Sequence, residues 1–453
     1  MGRIAIIAST THTNGLFTLA AIGDQLFIRQ FSTANTEKVR VGRRRFRSRL
    51  PLLLTLAALV VASAAYIFGI AWKQSLESSF LDMGDLITPR CIDVLVFVWL
   101  FWFGSSIGSF LNVVAWRMPR GISINGRSHC PRCQTHLKGR DNFPVLGWIS
   151  LGGRCRTCRL PISARYPIVE ASVGLSLSLV GVTEIYRMSM RIPGQVLHAH
   201  AGPLWTPTVD RLVITVLIYH TVVLATCWAF GLVRYDKTSL PWRLVLFGFF
   251  AAIVPMLVLP ELMLVPWQTM RPPDWIPTGL RFDALMRVIT ALVAATVFGR
   301  SLARGLCPAA DPKLNPLGQD TSRLMNLIAI LAMPSILVGW QVLPAVIVLA
   351  SLIAIALRKF VLKKTDMFGA FAIAVPIALT FQLKYWLSLH KSPYWPGDQT
   401  SHWVILCYAA IVLIIPAWLR DAPQAVLPVE PAEETQASKE VAIAESEPDK
   451  PAE

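Results

Sequence analysis

The chain has 453 residues, of which 54% are hydrophobic and only 15% are charged, and its formal net charge is +16. Soluble globular domains carry about 25% charged residues, and their helices have one apolar and one polar face. Several stretches here are apolar on every side, which excludes an ordinary soluble protein. The basic residues flank these stretches, and this placement favours contact with membrane lipid over nucleic-acid binding.

The N-terminal segment, residues 1–49, is predicted to be a basic tail in the cytoplasm. Its last part, residues 38–49, reads KVRVGRRRFRSR and holds seven basic residues and no acid. Positive charges beside membrane helices stay on the cytoplasmic side. We therefore expect the N-terminus to lie inside the cell, and no secretory signal is visible before the first long apolar stretch.

Ten apolar stretches follow, and a helix needs about 20 such residues to cross the hydrocarbon layer. Because lipid cannot pair free backbone groups, these stretches should be helices. The predicted spans are 50–72, 91–115, 168–186, 211–233, 242–266, 281–303, 324–340, 343–358, 369–386 and 402–419. The seventh and eighth are separated only by a tight turn, so we expect an all-α polytopic membrane protein with about 8–10 transmembrane helices.

A polar loop, residues 117–167, joins the second and third spans. From Arg117 to Arg165 it holds ten basic residues and one acid, which predicts a cytoplasmic loop. Four of the eight cysteines form two C-x2-C pairs that are separated by 21 residues: Cys130, Cys133, Cys155 and Cys158. This spacing is typical of a structural zinc site with four thiolate ligands. Disulfides or free thiols are the competing interpretation, and a reducing cytosol disfavours the disulfides.

The cysteines are embedded in an ordered set of motifs. These are GSFLNVVAWRMPRG at 108–121, RDNFPVLGWISLGGRC at 140–155 and RLPISARYPIVE at 159–170. The run resembles the N-terminal region of the bacterial type IV prepilin peptidases. The resemblance implies an aspartic endopeptidase of the bacterial inner membrane that removes the leader of prepilins or pseudopilins at the cytoplasmic face, for type IV pili or type II secretion. Many of these enzymes then methylate the new N-terminus with S-adenosylmethionine.

The resemblance further implies two aspartates that share one proton. The first follows a span and precedes a proline, and YDKTSLPWRL offers Asp236, although the gap is two residues shorter than in the family. The second stands in G-x-G-D-x-K-L, which is not intact here. Asp320, in LGQDTSRLMNL, is the first choice because its span runs on to GWQ, and Asp311, in AADPKLN, is the second. Gln319 replaces the glycine before Asp320, so the backbone there must follow another path.

These features divide the chain into five parts. They are a basic cytoplasmic tail (1–49), two N-terminal membrane spans (50–116), a cytoplasmic zinc-binding loop (117–167), a membrane-embedded aspartic peptidase domain (168–420) and an acidic tail (421–453). The last part has nine acids, two basic residues and many Ala and Pro. It is predicted to be disordered and cytoplasmic.

Two other functions compete with leader cleavage. The altered G-x-G-D motif suits a catalytically degenerate member that binds pilins or scaffolds a secretion apparatus. A transporter is the third possibility, but no internal repeat and no acid deep in a span supports it. The expected partners are prepilin or pseudopilin substrates and membrane lipid, with no nucleic acid. The expected cofactors are structural zinc and, where methyl transfer is retained, S-adenosylmethionine.

Overall fold

A computed structural model describes residues 50–421, except 131, 187–206, 208, 266, 269–280, 309–319, 364 and 398–399. The predicted N-terminal tail and residues 422–453 of the predicted acidic tail therefore lie outside the described residues.

Helices make up most of the described chain. They are α1 (Leu50–Glu77), α2 (Met83–Arg117), α3 (Leu146–Ser150), α4 (Arg165–Ile185), α5 (Arg211–Tyr235), α6 (Trp242–Val258), α7 (Arg281–Leu306), α8 (Thr321–Val338), α9 (Leu343–Phe360), α10 (Met367–Lys384), α11 (Trp386–Lys391) and α12 (His402–Ile414). Within the described ranges, eight helices are long and apolar enough to cross a membrane, and α6 and α12 are shorter apolar helices. The predicted all-α polytopic fold with about 8–10 transmembrane helices is confirmed.

The second and fifth predicted spans differ most from their helices. α2 begins at Met83 rather than at residue 91, because Asp82 and Asp85 form a capping box that satisfies the first backbone N–H groups. α6 ends at Val258, just before Pro260. A proline cannot continue the backbone hydrogen bonds of a preceding helix, so the predicted extension to residue 266 is wrong.

The helices differ greatly in how much of their surface is covered. In α10, 78% of the most apolar window is buried, whereas in α1 none of it is. α10 packs against α5 and α9 and therefore lies near the centre of the bundle. The exposed side chains of α1 are almost all apolar, as suits a helix surrounded by lipid.

α2 and α4 pack closely against each other, with glycines against the facing backbone. A methyl group added at Gly174 would lie 3.0 Å from the carbonyl oxygen of Phe101, and one added at Gly108 would lie 2.9 Å from the Cα of Glu170. Small residues at such positions let two membrane helices bring their backbones together. This contact fixes the start of α4 beside the end of α2, where the cysteine-rich loop begins.

Several helices end or begin together at one end of the bundle, which we call the loop end because it carries residues 118–164. α2 and α5 finish there, and α4, α8 and α10 start there. The Thr365 hydroxyl donates to the carbonyl oxygen of Tyr235 at 3.0 Å, which joins the start of α10 to the end of α5. Polar side chains are gathered at this end, which makes it the candidate functional site.

Candidate metal centre and active site

The four cysteines of the loop converge on one point. The Sγ atoms of Cys130 and Cys158 are 3.9 Å apart, as are those of Cys133 and Cys155. All four sulfurs lie within 4.8 Å of one another. A tetrahedral zinc ion with Zn–S bonds of about 2.3 Å holds its sulfurs about 3.8 Å apart. The donor set and its spacing therefore fit one structural zinc ion that has no open coordination position.

The two cysteine pairs are built in the same way. The N–H of Gln134 donates to the carbonyl oxygen of Cys130 at 2.9 Å, and the N–H of Arg159 donates to that of Cys155 at 3.1 Å. Gln134 and Arg159 both have left-handed φ values, 56° and 63°. These conformations fold each segment back so that both of its sulfurs face the same side. Isolated antiparallel bridges close the two turns: His129 with His136, and Arg154 with Pro161.

The thiols of this cluster are suited to metal rather than to disulfide bonding. Sulfur separations of 3.9 Å are far longer than a disulfide bond of about 2.05 Å. Hydrogen bonding with the side chain and backbone of Thr135 lowers the pKa of Cys133 to about 6, whereas burial and the neighbouring cysteines raise the pKa of Cys158 to about 11. The thiolate is the form that binds metal, so metal binding would release a proton from Cys158.

An ion pair within the loop and a hydrogen bond to α4 hold the loop in place. Asp141 is buried, and both of its carboxylate oxygens accept hydrogen bonds from Arg156. Glu170, in the second turn of α4, accepts a hydrogen bond from the backbone N–H of Val145 at 2.7 Å. Val145 has a φ of 60°, which is strained for a β-branched residue. The loop is therefore held in one orientation against α4.

Asp236 is the residue that directly follows α5. Both of its carboxylate oxygens accept hydrogen bonds from Arg165, the first residue of α4, and the Nη2–Oδ2 distance is 2.8 Å. The Arg165 guanidinium also lies 5.1 Å from the ring centre of Tyr235. A carboxylate that accepts two hydrogen bonds from one guanidinium is held in a fixed orientation. The Asp236 side chain is 15% exposed, so water can reach it.

Asp320 is the N-cap residue of α8. One carboxylate oxygen accepts a hydrogen bond from the backbone N–H of Arg323 at 3.1 Å. The backbone N–H of Asp320 donates to the carbonyl oxygen of Cys307 at 3.3 Å. No other hydrogen bond to the Asp320 carboxylate comes from the described residues, and residues 309–319, which directly precede Asp320 in the chain, lie outside them.

A third aspartate at the loop end, Asp366, links three helices. It is the N-cap of α10, where its Oδ1 accepts a hydrogen bond from the N–H of Gly369 at 2.8 Å. Its Oδ2 accepts from Arg323 at 2.9 Å and lies 3.6 Å from the Nη2 of Arg234. Both oxygens of Asp366 are thus occupied by groups from α5, α8 and α10.

The structure places both predicted catalytic residues, Asp236 and Asp320, at the loop end. No hydrogen bond or ion pair joins their two carboxylates in the part of the chain that the structure describes. The second choice, Asp311, lies outside the described residues. The catalytic assignment of these aspartates therefore stays a prediction.

Sequence reasoning did not single out the charged partners at the loop end. Arg165 belongs to the quoted stretch RLPISARYPIVE, so its position in that motif could have drawn attention to it. Asp366 directly precedes an apolar stretch, where an aspartate is typical of a helix N-cap. Their partners, on α5 and α8, depend on how distant helices pack, which no short pattern encodes.

Comparisons with known proteins agree with this picture of the loop. A family model described as the bacterial peptidase A24 N-terminal domain matches residues 102–183. The chain is 51% identical over 88 residues to a prepilin leader peptidase/N-methyltransferase of Myxococcus xanthus, which covers 19% of this chain and 26% of that protein. It is 34% identical over 172 residues to a protein of the same name from Klebsiella pneumoniae, which covers 35% of this chain and 66% of that protein.

A third relative is the type 4 prepilin-like proteins leader peptide-processing enzyme of Escherichia coli. It is 42% identical over 98 residues, which cover 17% of this chain and 36% of that protein. The chain thus matches between about a quarter and two thirds of the length of these curated relatives. No solved structure matches it significantly.

Proposed function

The chain belongs to the family of bacterial prepilin leader peptidases, and on that premise we propose that it removes the leader of type IV prepilins or pseudopilins. The proposal assigns it to the inner membrane, with the loop end and both tails in the cytoplasm. The observation that carries the proposal is the gathering of Asp236, Asp320 and the cysteine cluster at one end of a membrane helix bundle. Leaders of membrane-inserted prepilins would reach this end from the cytoplasm.

The hydrogen bonds of the two aspartates suggest different roles for them. Asp236 is held by two hydrogen bonds from the Arg165 guanidinium and is assigned as the base that takes a proton from water. Asp320 accepts a hydrogen bond from the backbone N–H of Arg323 and is assigned as the acid that donates a proton to the scissile carbonyl oxygen. The water oxygen then attacks the carbonyl carbon, and the amide bond breaks as its nitrogen is protonated. One of the two Arg165 hydrogen bonds must open before Asp236 can accept a proton.

The cysteine cluster would take no part in the cleavage reaction itself and would only hold the loop in its folded conformation. Zinc bound by four thiolates has no position for a substrate or a water. It would fold residues 117–167 and so fix Arg165, which opens α4 directly after the loop, against Asp236. The membrane-embedded region 168–420 would then supply the peptidase groups. In relatives that are also N-methyltransferases, S-adenosylmethionine supplies the methyl group.

Leader cleavage by variants tests the assignment. Asp236→Asn and Asp320→Asn keep the size of the side chain but remove its acid–base capacity. We expect each to lower the cleavage rate of a co-reconstituted prepilin at least about 100-fold. Asp82→Asn is the matched control, because Asp82 is exposed at the opposite end of α2 and should leave the rate unchanged. If the Asp236→Asn variant cleaves the leader as fast as the wild type, Asp236 is not a catalytic residue.

A second candidate function is pilin binding without cleavage. Two observations favour it: Arg165 occupies both oxygens of Asp236, and Gln319 stands where the family motif has glycine. Affinity purification separates the two functions. A non-cleaving binder would retain a full-length prepilin that still carries its leader, whereas a peptidase would release a shortened product.

A further inference from the structure

The surface of the cysteine-rich loop carries positive charge that the loop's own acid does not balance. Residues 117–165 hold ten basic residues and one acid, Asp141, which is buried and paired with Arg156. Six of the basic side chains are exposed and form no ion pair with a described residue: Arg120, Arg127, Arg132, Lys138, Arg140 and Arg159. A cluster of like charges attracts a partner of the opposite sign, so this surface is suited to an anionic partner.

Most of these exposed charges lie on the cysteine turns rather than beside the membrane helices. Arg132 stands 15 residues after Arg117, the end of α2, and Arg140 stands 25 residues before Arg165, the start of α4. Basic residues that bind lipid headgroups usually stand directly beside a membrane helix. The position of the charges therefore favours a partner in the aqueous phase over the lipid surface.

The chain itself contains a strongly acidic segment. Residues 422–453 of the predicted acidic tail hold eight Asp or Glu and two Lys, which gives their side chains a formal net charge of −6. They hold no arginine and no aromatic residue. This segment and the exposed loop surface therefore carry complementary charges.

The start of the acidic segment is attached to the loop end of the bundle. Both carboxylate oxygens of Asp421 accept the backbone N–H of Met367, the first residue of α10, at 3.0 Å. α10 begins beside the end of α5, and Arg165, which directly follows the loop, pairs with Asp236 at that same place. The acidic segment therefore follows the bundle at the end that carries the basic loop.

The connection to Asp421 also leaves the acidic segment enough length to reach the loop. A fully extended chain of 32 residues spans up to about 110 Å. Because both partners belong to one chain, their contact is intramolecular, which raises the effective concentration of each partner for the other. A free anion of the same charge does not have this advantage.

We propose that residues 422–453 bind the exposed basic surface of the cysteine-rich loop. The contact balances most of the loop's positive charge and weakens the attraction of the loop to anionic lipid. It does not depend on leader cleavage, so it stands or falls separately from the proposed function. Two other contacts compete with it: anionic lipid on the same loop surface, and the basic residues 38–49 as the partner of the acidic segment.

The first test is zero-length crosslinking of the full-length, zinc-loaded protein in an uncharged detergent. A carbodiimide joins a carboxylate to a lysine amine only where the two groups touch, and Lys138 is the one lysine among residues 117–167. Mass spectrometry should identify crosslinks between Lys138 and glutamates of 422–453 at low salt. They should be lost at 1 M salt, where the Debye length is about 3 Å. Tail crosslinks to Lys38 alone, or to Lys359 alone, overturn the proposal.

The second test measures how fast an arginine-specific protease cuts the loop after Arg127 and Arg159. The test variant has every Asp and Glu of 422–453 changed to Asn or Gln, which keeps the length of the segment. At low salt its loop should be cut at least about 5-fold faster than that of the wild type, and at 1 M salt the two rates should be equal. Zinc content is measured on both proteins to show that the loop is folded.

Two controls accompany the protease test. The Lys439→Gln/Lys450→Gln variant keeps all eight tail acids and should be cut no faster than the wild type. Arg281, exposed at the start of α7, lies outside the loop and should be cut at the same rate in every variant. Equal loop cleavage in the wild type and the acid-free variant at low salt overturns the proposal. If phosphatidylglycerol vesicles then slow that cleavage in both proteins, anionic lipid covers the surface instead.

Discussion

The cysteine-rich loop and the aspartate-bearing helix ends lie side by side, yet they are specified in different ways. The four sulfurs come from a segment of 29 residues, Cys130 to Cys158, and two tight turns of the same form aim them at one point. The aspartates come from α5, α8 and α10, and each is held by an arginine or a backbone group from its surroundings. A metal site can thus be encoded locally, whereas a catalytic pair depends on the packing of distant helices.

Removing the metal should have the largest effect and would show how far the two regions depend on each other. Cys155→Ser should reduce the zinc content from one ion per chain to none, because three thiolates do not complete the tetrahedral site. Structural zinc contributes about 10–16 kcal/mol of binding free energy in zinc-finger peptides, so the loop should become open to proteases. Zinc analysis and limited proteolysis measure the two effects.

Cys91→Ser is the control for the metal prediction, since Cys91 is exposed on α2 and outside the cluster. A Cys155→Ser protein that still holds one zinc ion per chain would contradict the four-thiolate site. If the variant loses zinc but keeps full leader cleavage, the loop does not position Arg165 for catalysis.

Asp366→Asn should have the next largest effect and tests the aspartate region by itself. The change leaves the buried side chain of Arg234 without its anionic partner and weakens the contact with Arg323. Breaking a largely buried ion pair in this way costs about 3 kcal/mol. The thermal unfolding midpoint in detergent should fall, while the zinc content stays at one ion per chain.

Glu77→Gln is the matched control for that change, because it removes an ion pair with Lys73 in which both side chains are more than half exposed. Such pairs contribute little, so the midpoint should not move. If the thermal unfolding midpoint of Asp366→Asn equals that of the wild type, the ion pairs of Asp366 do not hold α5, α8 and α10 together.

Gly174→Ala should have a smaller effect and tests the helix contact that joins the two regions. The added methyl group would meet the Phe101 carbonyl oxygen at 3.0 Å and the Ser105 hydroxyl even more closely. Overpacking of this kind costs about 1–3 kcal/mol. Gly69→Ala on α1 adds the same group where no atom lies within 4 Å, and it should leave the unfolding midpoint unchanged or raise it. If Gly174→Ala unfolds at the same temperature as the wild type, α2 and α4 are not tightly packed at Gly174.

Much of this organisation could be predicted from the sequence. Long apolar stretches must form helices in lipid, so the spans could be placed before the structure was known. The spacing of Cys130, Cys133, Cys155 and Cys158 predicted their cluster for a similar local reason. The pairing of Arg165 with Asp236, and of Asp366 with Arg323, could not be predicted. It depends on which helix ends meet, and the turns between these helices follow no short pattern.

The central claim is that this chain processes prepilins, and the most direct measurement is the mass of a prepilin after incubation with the purified, zinc-loaded protein in lipid vesicles. Cleavage should yield a mature chain that is shorter by its leader, in a reaction that Asp236→Asn abolishes. A prepilin that stays intact while it remains bound to the wild-type protein would contradict the peptidase assignment and leave binding without cleavage as the function.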